Sequence, residues 1–356
     1  MTRPLDRARA FCDRFGLTVP ILQAPMAGAC PVPLAASVAN AGGMGGMGAL
    51  LSTPAEIAAW AGGFRAASNG AFQINLWIPD PPPPRDPDAE VRIRAFLGRF
   101  GPDVPEAAGD AVPPDFADQC AALLEAGPAA ISSIMGLFAP EYVAAMKSRG
   151  IAWIACATTP SEARAAEAAG ADAIVAQGAE AGGHRGAFDP ARAERDAIGL
   201  FALLPQIADA VAVPVIAAGG IADGRGLAAA LTLGASAAQI GTGYLRCPEA
   251  GVAPSWADAL AGLAPEATVL TRAFSGRAGR ALAGEYVRAA AAADAPVPAP
   301  YPVQRGLSAP MRAAAARAGD VGRMQAWAGQ GAALARAEPA AETTRRIWED
   351  AAALLG

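Results

Sequence analysis

The chain has 356 residues, of which 53% are hydrophobic and 17% charged, a balance typical of a large folded core rather than a disordered or fibrous chain. The formal net charge is −5 and no basic run occurs, which argues against nucleic acid or an anionic membrane surface as a partner.

The sequence predicts a cytoplasmic protein without a metal site. Its first residues are charged and precede no apolar segment, so we expect no signal peptide, and no apolar run reaches the ~18 residues of a membrane-spanning helix. Five cysteines lack C-x-x-C spacing and only one histidine is present, which argues against a disulfide framework and a zinc site. We expect a monomer or homodimer.

Short apolar strands alternate with helices along most of the chain. Strands are predicted at residues 19–24, 43–50, 72–76, 129–133, 151–155, 173–176, 213–218 and 237–240. Helices are predicted at residues 33–41, 53–65, 116–126, 140–148, 161–169, 198–211 and 223–234. Eight such strands, without a G-x-G-x-x-G turn after the first, predict a (β/α)8 TIM barrel of the α/β class, and a doubly wound sheet is the alternative.

Two segments depart from this alternation. Prolines cluster between residues 79 and 114, so we expect an irregular excursion that is either disordered or, preferably, a lid, because it follows the carboxyl end of a strand. Beyond residue 246 the sequence is more helical and broken by loops. We therefore predict a barrel domain at 1–250, with the excursion at 77–115, and a mainly helical domain at 251–356 that caps the carboxyl-terminal face.

The only histidine, His184, ends a glycine-rich loop after the sixth predicted strand. Glycines in this loop, including Gly182 and Gly183, remove Cβ atoms and let backbone N–H groups reach a bound oxyanion or ring. An imidazole can exchange a proton near neutral pH. We predict that His184 is catalytic; the alternative is a surface or satisfied core histidine.

Glycines also follow the seventh and eighth predicted strands. Gly219 and Gly220 permit close approach of a ligand, while Gly241 and Thr242 add backbone N–H groups and a hydroxyl. In barrels these two loops commonly bind phosphate, although glycines can also serve tight turns alone. The ligand is then a cofactor such as flavin mononucleotide (FMN) or a phosphosugar.

Other residues favour a flat ring. The turn at Ala24, Pro25 and Met26, together with the glycine-rich second strand, suggests a ring that rests on backbone. Asn75 and Gln177 lie near strand ends and carry amides suited to the pyrimidine edge of a flavin.

Motifs along nearly the whole chain resemble those of the nitronate monooxygenases, formerly called 2-nitropropane dioxygenases. The resemblance rests on residues 23–28, 40–43, 177–186, 218–221, 239–242, 274–277, 301–302 and 327–331. The last three motifs lie outside a generic flavin barrel, which makes the match specific.

The resemblance implies a TIM barrel with a small second domain, FMN as cofactor, and His184 as the active-site histidine. The reaction implied is the oxidation by O2 of alkyl nitronates, such as propionate 3-nitronate, or of nitroalkanes, to a carbonyl compound and nitrite or nitrate. We assign Tyr301 and Trp327 to the substrate side. Residues implied to contact FMN are Asn75, Gln177, Gly182, Gly220, Gln239, Ile240, Gly241 and Thr242.

The chain departs from the family pattern in two places. Ala278 and Gly279 break the arginine-rich run after residues 274–277, and the proline-rich excursion is longer than expected. Both departures concern substrate selection more than flavin binding.

Three other functions stay open at this point. A flavin-dependent enoyl-thioester reductase using NAD(P)H shares such a barrel and histidine loop, although the motifs at 301–302 and 327–331 argue against it. A catalytically silent flavin-binding protein and a phosphosugar-metabolising barrel are the others.

Overall fold

Eight parallel strands form one closed sheet in the structure, a computed structural model that describes residues 3–356. Three further strands, the seventh, tenth and eleventh in chain order, form a separate small sheet. In chain order, the strands of both sheets are β1 (Ile21–Gln23), β2 (Gly45–Gly48), β3 (Phe72–Trp77), β4 (Ala130–Ile134), β5 (Ala152–Ala157), β6 (Ala173–Gln177), β7 (Gly183–His184), β8 (Val215–Ala218), β9 (Ala237–Ile240), β10 (Thr268–Thr271) and β11 (Gly279–Leu282). The order around the sheet is β1-β9-β8-β6-β5-β4-β3-β2. A parallel bridge between Leu22 and Met44 joins the two ends. The predicted (β/α)8 barrel is confirmed, and the doubly wound alternative is excluded.

Helices surround the barrel and build the remainder of the chain. They are α1 (Pro4–Phe15), α2 (Val32–Asn40), α3 (Pro54–Ala67), α4 (Pro87–Leu97), α5 (Phe116–Ala126), α6 (Pro140–Ser148), α7 (Pro160–Ala168), α8 (Leu200–Ala210), α9 (Gly224–Thr232), α10 (Pro254–Ala259), α11 (Glu285–Ala290), α12 (Val303–Leu307), α13 (Ala309–Ala318) and α14 (Ala340–Leu355). Many begin with proline in the first turn, where its missing N–H leaves no bond unmade. Within residues 3–356, no helix combines the length and apolarity needed to cross a bilayer.

The barrel interior is a small apolar core that α1 completes. Inward-facing side chains such as Ile154, Val175 and Ile216 pack with Phe11 and Phe15 of α1. Because α1 precedes β1, these rings close the end of the barrel opposite the carboxyl ends of the strands. The open end is therefore the carboxyl-terminal one, where active sites of this fold lie.

The proline-rich excursion is ordered, and the prediction of an irregular segment is wrong for residues 87–97, which form α4. Asp86 accepts a hydrogen bond from the N–H of Ala89 and caps α4, which starts at Pro87. Its prolines flank this helix rather than interrupt it. Ile93 and Leu97 of α4 are buried with residues of the 273–311 region. The excursion is therefore part of a second core.

The carboxyl-terminal third contains strands that the sequence did not reveal. β10 and β11 form an antiparallel pair, and β11 pairs in turn with β7, the two residues that include His184. This three-stranded sheet fixes the histidine loop against the second core.

The last helix belongs to the outer ring of the barrel. Ala340, Ile347 and Ala351 of α14 are buried in the main core, and α14 packs chiefly on α9 and α2. The predicted carboxyl-terminal cap therefore lacks its final helix, because the apolar face of α14 covers the barrel between these two helices. The division of the chain at residue 250 otherwise stays a prediction.

Candidate active site

A cleft of about 1300 Å³, measured with its open mouth, lies at the carboxyl ends of the barrel strands. Most residues predicted for the site line it, and these are Ala24, Pro25, Met26, Asn75, Gln177, Gly182, Gly183, His184, Gly219, Gly220, Gln239, Gly241, Thr242 and Trp327. Ile240 does not line it, because its side chain is buried in the main core between the barrel strands and the surrounding helices. Tyr301 also lies outside the lining, and its ring contacts Trp77 at 5.5 Å.

His184 is held by backbone pairing and by three side chains. It pairs with Gly279 across β7 and β11, while Arg185 N donates to Ala278 O. The rings of Trp77 and Trp327 pack on the imidazole in edge-to-face geometry, at centroid distances of 4.6 and 4.7 Å. Nε2 lies 2.7 Å from Ser275 Oγ. The ring is therefore fixed before any ligand binds.

The hydrogen bond to Ser275 leaves Nδ1 as the free nitrogen of His184. Within residues 3–356, Nδ1 has no hydrogen-bond partner. If the Ser275 hydroxyl donates to Arg277 O, at 3.2 Å, then Nε2 carries the imidazole proton and Nδ1 accepts. If the hydroxyl donates to Nε2, then Nδ1 carries the proton and donates. Ser275 thus couples the tautomer of His184 to the hydrogen bond that a ligand requires.

Burial and nearby cations keep His184 neutral. Desolvation is the main cause, with Arg277, Arg305 and Arg312 adding to it, and together they lower the pKa of His184 to about 3. The imidazole is therefore uncharged at neutral pH and a weak base.

Because His184 is the only histidine, its titration can be followed at a single site. We expect its imidazole NMR shifts to stay flat from about pH 8 to about pH 5. In the unfolded chain, His184 has its ordinary pKa near 6.5, so on acidification it takes up a proton that the folded protein does not. Stability should therefore decrease as the pH falls below about 6.5, and this component should be absent in His184→Gln. A midpoint near 6.5 in the folded protein would contradict the half-buried, neutral state of His184.

The arginines near His184 carry more positive charge than the local carboxylates balance. Arg277 is paired with Asp80, with Nε 2.8 Å from Oδ2. In contrast, Arg305 and Arg312 form no ion pair with a carboxylate among the described residues, and Arg312 instead donates to Ser308, Gln325 and the backbone of Arg305. The histidine end of the cleft therefore attracts anions.

Amide groups in the cleft have fixed polarity. Asn75 Nδ2 donates to Ser132 O and Oγ, so its Oδ1 is left as an acceptor. Gln239 Oε1 accepts from Gln73, which leaves its Nε2 as a donor. Gln177 Oε1 accepts from Gly186 N at 2.8 Å, so Gln177 also presents a donor. Two donors and one acceptor match the two carbonyls and one N–H of a flavin imide in number and kind.

The two glycine loops meet the carboxyl-terminal segment. Gly220 has a φ of +70°, and a Cβ there would lie 3.5 Å from Glu180 Cβ. Thr242 Oγ1 accepts from Gly329 N at 3.0 Å. Within the described part of the chain, the N–H groups of Gly220 and Thr242 donate to no protein acceptor. They are free to bind a phosphate.

The glycines of β2 have a different role from the predicted one. A Cβ on Gly46 would lie 2.5 Å from Gln23 O, and one on Gly48 would lie 2.7 Å from Ala27 N. None of the β2 residues lines the cleft. The expectation that this strand supports a bound ring is wrong, because its glycines admit the backbone of β1 and the following turn.

Several residues of the site were missed from sequence. Trp77 lies two residues after Asn75 on β3, and this strand spacing was the available signal. Trp256 also lines the cleft, and its Nε1 is buried without a hydrogen-bond partner in the described residues. Ser275 lies in the motif at residues 274–277, and no local sequence pattern connects it to His184.

Comparisons with known proteins agree with this geometry. The family model described as nitronate monooxygenase matches residues 10–350. The chain belongs to the nitronate monooxygenase family. It is 42% identical to a nitronate monooxygenase of Paraburkholderia phytofirmans, over 95% of this chain and 94% of that protein. It is 40% identical to one of Pseudomonas aeruginosa, over 95% and 99%.

A solved structure gives the same result for the fold. The nitroalkane oxidase from Streptomyces ansochromogenes superimposes with a TM-score of 0.87 at 37% identity, covering 97% of this chain and 98% of that one. As a member of the nitronate monooxygenase family, the chain is an oxidoreductase. The family resemblance seen in the sequence is confirmed.

Ala278 and Gly279, which interrupt the expected arginine-rich run after residues 274–277, have a structural consequence. Gly279 lies opposite His184 in the small sheet. A Cβ on Gly279 would be 3.0 Å from the Trp327 ring. The absence of a side chain there therefore lets Trp327 pack closely beside the histidine.

Proposed function

We propose that the protein binds one non-covalent FMN in the cleft and oxidises alkyl nitronates with O2 to a carbonyl compound and nitrite or nitrate. The family is a flavoprotein family. Bound FMN would supply the redox chemistry, accepting electrons from the substrate and passing them to oxygen. The observation that carries the proposal is the neutral His184, fixed by Ser275 and two tryptophans at the cation-rich end of the cleft.

The cleft suits FMN in its polar groups. The phosphate would be held by the free N–H groups of Gly220 and Thr242, and the imide edge by Asn75, Gln177 and Gln239. The orphaned Trp256 Nε1 is a further donor for an oxygen of the cofactor.

His184 suits an anionic substrate better than a neutral one. A nitronate oxygen is an acceptor, so it would select the tautomer in which Nδ1–H donates to it and Ser275 donates to Nε2. A pKa of about 3 makes His184 a poor base for removing a proton from a neutral nitroalkane. We infer that the preformed nitronate is the substrate.

The surrounding charge favours substrates with a second negative group. Arg305 and Arg312 lack carboxylate partners among the described residues, so their charge reaches the histidine end of the cleft. Propionate 3-nitronate, which also has a carboxylate, would be attracted more strongly than an alkyl nitronate without a second charged group. Its advantage in kcat/KM should shrink at high salt.

Anaerobic mixing tests the function directly. An alkyl nitronate should bleach the flavin absorbance, and NADH should not. Admission of air should then restore the spectrum with nitrite or nitrate formed. Bleaching by NADH, followed by turnover of an enoyl thioester, would establish the reductase instead. A yellow protein that reacts with neither would be a silent flavin-binding protein.

A further inference from the structure

Arg185 is a buried cation directly behind the wall of the cleft. Its side chain is 1% exposed, and Nη1 donates to Gln177 O at 3.1 Å, Gln177 Oε1 at 3.3 Å and Gly178 O at 2.8 Å. Nε and Nη2 are buried with no hydrogen-bond partner among residues 3–356. A guanidinium left this incompletely bonded in a protein interior is unfavourable for folding, so a function is expected for it.

The acidic groups nearest to Arg185 are engaged elsewhere. Glu180 accepts from Leu200 N at 2.9 Å and caps α8. Glu162 accepts from Thr158 N and from Phe188 N. Arg185 makes no ion pair with any carboxylate in the described part of the chain. Desolvation lowers the pKa of Arg185, but a guanidinium stays protonated in proteins. Its charge is therefore uncompensated at contact distance.

Arg185 acts on the cleft through Gln177. Arg185 and Gly186 N together hold Gln177 Oε1, while Gln177 Nε2 donates to His184 O at 3.0 Å. Only one N–H of the Gln177 amide remains for a ligand. The guanidinium therefore helps Gly186 N to fix which end of the Gln177 amide faces the cleft.

We propose that Arg185 is a positioning residue for the flavin: it orients the Gln177 amide and places behind it a positive charge that favours the reduced ring. The inference rests on the flavin site proposed above. Two electrons and one proton convert the neutral oxidised ring to a monoanion. A cation one side chain away, in a medium of low dielectric, stabilises that anion relative to the neutral ring.

The test compares Arg185→Met, which loses the charge and the Nη1 hydrogen bonds, with Arg185→Lys, which keeps a positive charge without the planar guanidinium. Arg280→Met is the matched control, because Arg280 is 8% exposed and donates only to Ala179 O, Thr268 O and Thr268 Oγ1. For each FMN-loaded protein, the Kd for FMN is measured by fluorescence and the reduction potential by equilibration with redox dyes.

In Arg185→Met, reduced FMN should lose at least tenfold more affinity than oxidised FMN, which lowers the two-electron potential by about 30 mV. Arg185→Lys should keep most of the potential while the Kd for oxidised FMN rises several-fold. In Arg280→Met, the reduction potential and the Kd for FMN should each change by less than half as much as in Arg185→Met. A folded Arg185→Met with wild-type potential and Kd would overturn the proposal.

If Arg185→Met does not fold, Arg185→Lys still decides, since an unchanged Kd there would show that the guanidinium contact with Gln177 Oε1 has no role. Failure of the proposed function can be distinguished from failure of the Arg185 proposal. A protein that binds FMN but ignores nitronates refutes the reaction, whereas the Arg185 shifts are measured without any nitronate.

Discussion

Gly220→Asp should purify nearly free of flavin. Gly220 lies in the loop after β8, and its backbone N–H is one of the free donors assigned to the phosphate. A carboxylate on this residue would add a negative charge beside the backbone N–H groups assigned to the phosphate, next to Glu180. Two like charges about 4 Å apart repel by roughly 4 kcal/mol at an effective dielectric of 20, which is a loss of about a thousandfold in affinity.

Gly220→Asn is the control for shape and backbone. Both residues tolerate the left-handed conformation at φ +70°, and the new Cβ would meet only Glu180 atoms at ordinary contact distances of 3.5 Å or more. The asparagine variant should keep its Kd for FMN within about tenfold of wild type. Equal losses in the two variants, measured by fluorescence titration of apoprotein, would place the phosphate elsewhere.

The barrel was predictable because its determinants are local. The bounds predicted for α5 and α6 agree with those in the structure. α5 has the N-cap Asp115 and the left-handed Gly127 at its ends, which are legible in the sequence. Strand ends then place Asn75, Gln177 and Gln239 at one face, because parallel strands in a barrel share that face.

The surroundings of His184 were not predictable in the same way. Gly183 and His184 become a strand only by pairing with β11, nearly a hundred residues later. Ser275 and Trp77 reach the imidazole from separate parts of the chain. Neither hydrophobic periodicity nor helix-capping residues indicate such long-range contacts.

The role of a glycine or proline is not predictable from sequence where long-range contacts determine it. The close contact of Gly46 with Gln23 O identifies a backbone neighbour that composition alone cannot distinguish from a ligand. Prolines around α4 mark its boundaries, yet in sequence they suggest irregular structure. Likewise, the amphipathic pattern of α14 does not tell which surface it covers.

His184→Asn should lose less activity with alkyl nitronates than His184→Gln. Nε2 is already bonded to Ser275, so Nδ1 is the nitrogen that faces a substrate. A terminal amide atom of asparagine occupies roughly the Nδ1 position, whereas that of glutamine reaches the Nε2 position. We therefore expect kcat/KM to fall about tenfold in His184→Asn and about a hundred- to a thousandfold in His184→Gln, the range for losing one hydrogen bond to developing charge.

Flavin content and its spectrum should be unchanged in both variants, because the amides and glycine loops assigned to FMN do not depend on the imidazole. Steady-state oxygen consumption with a preformed nitronate at pH 7 gives the comparison, and Ser275→Ala adds a check. Without the Ser275 hydroxyl, neither tautomer of His184 is favoured, so activity should fall only a few-fold. The reverse order, with glutamine the better replacement, would mean that Nε2 leaves Ser275 to bind the substrate. Wild-type rates in all three variants would remove His184 from the chemistry altogether.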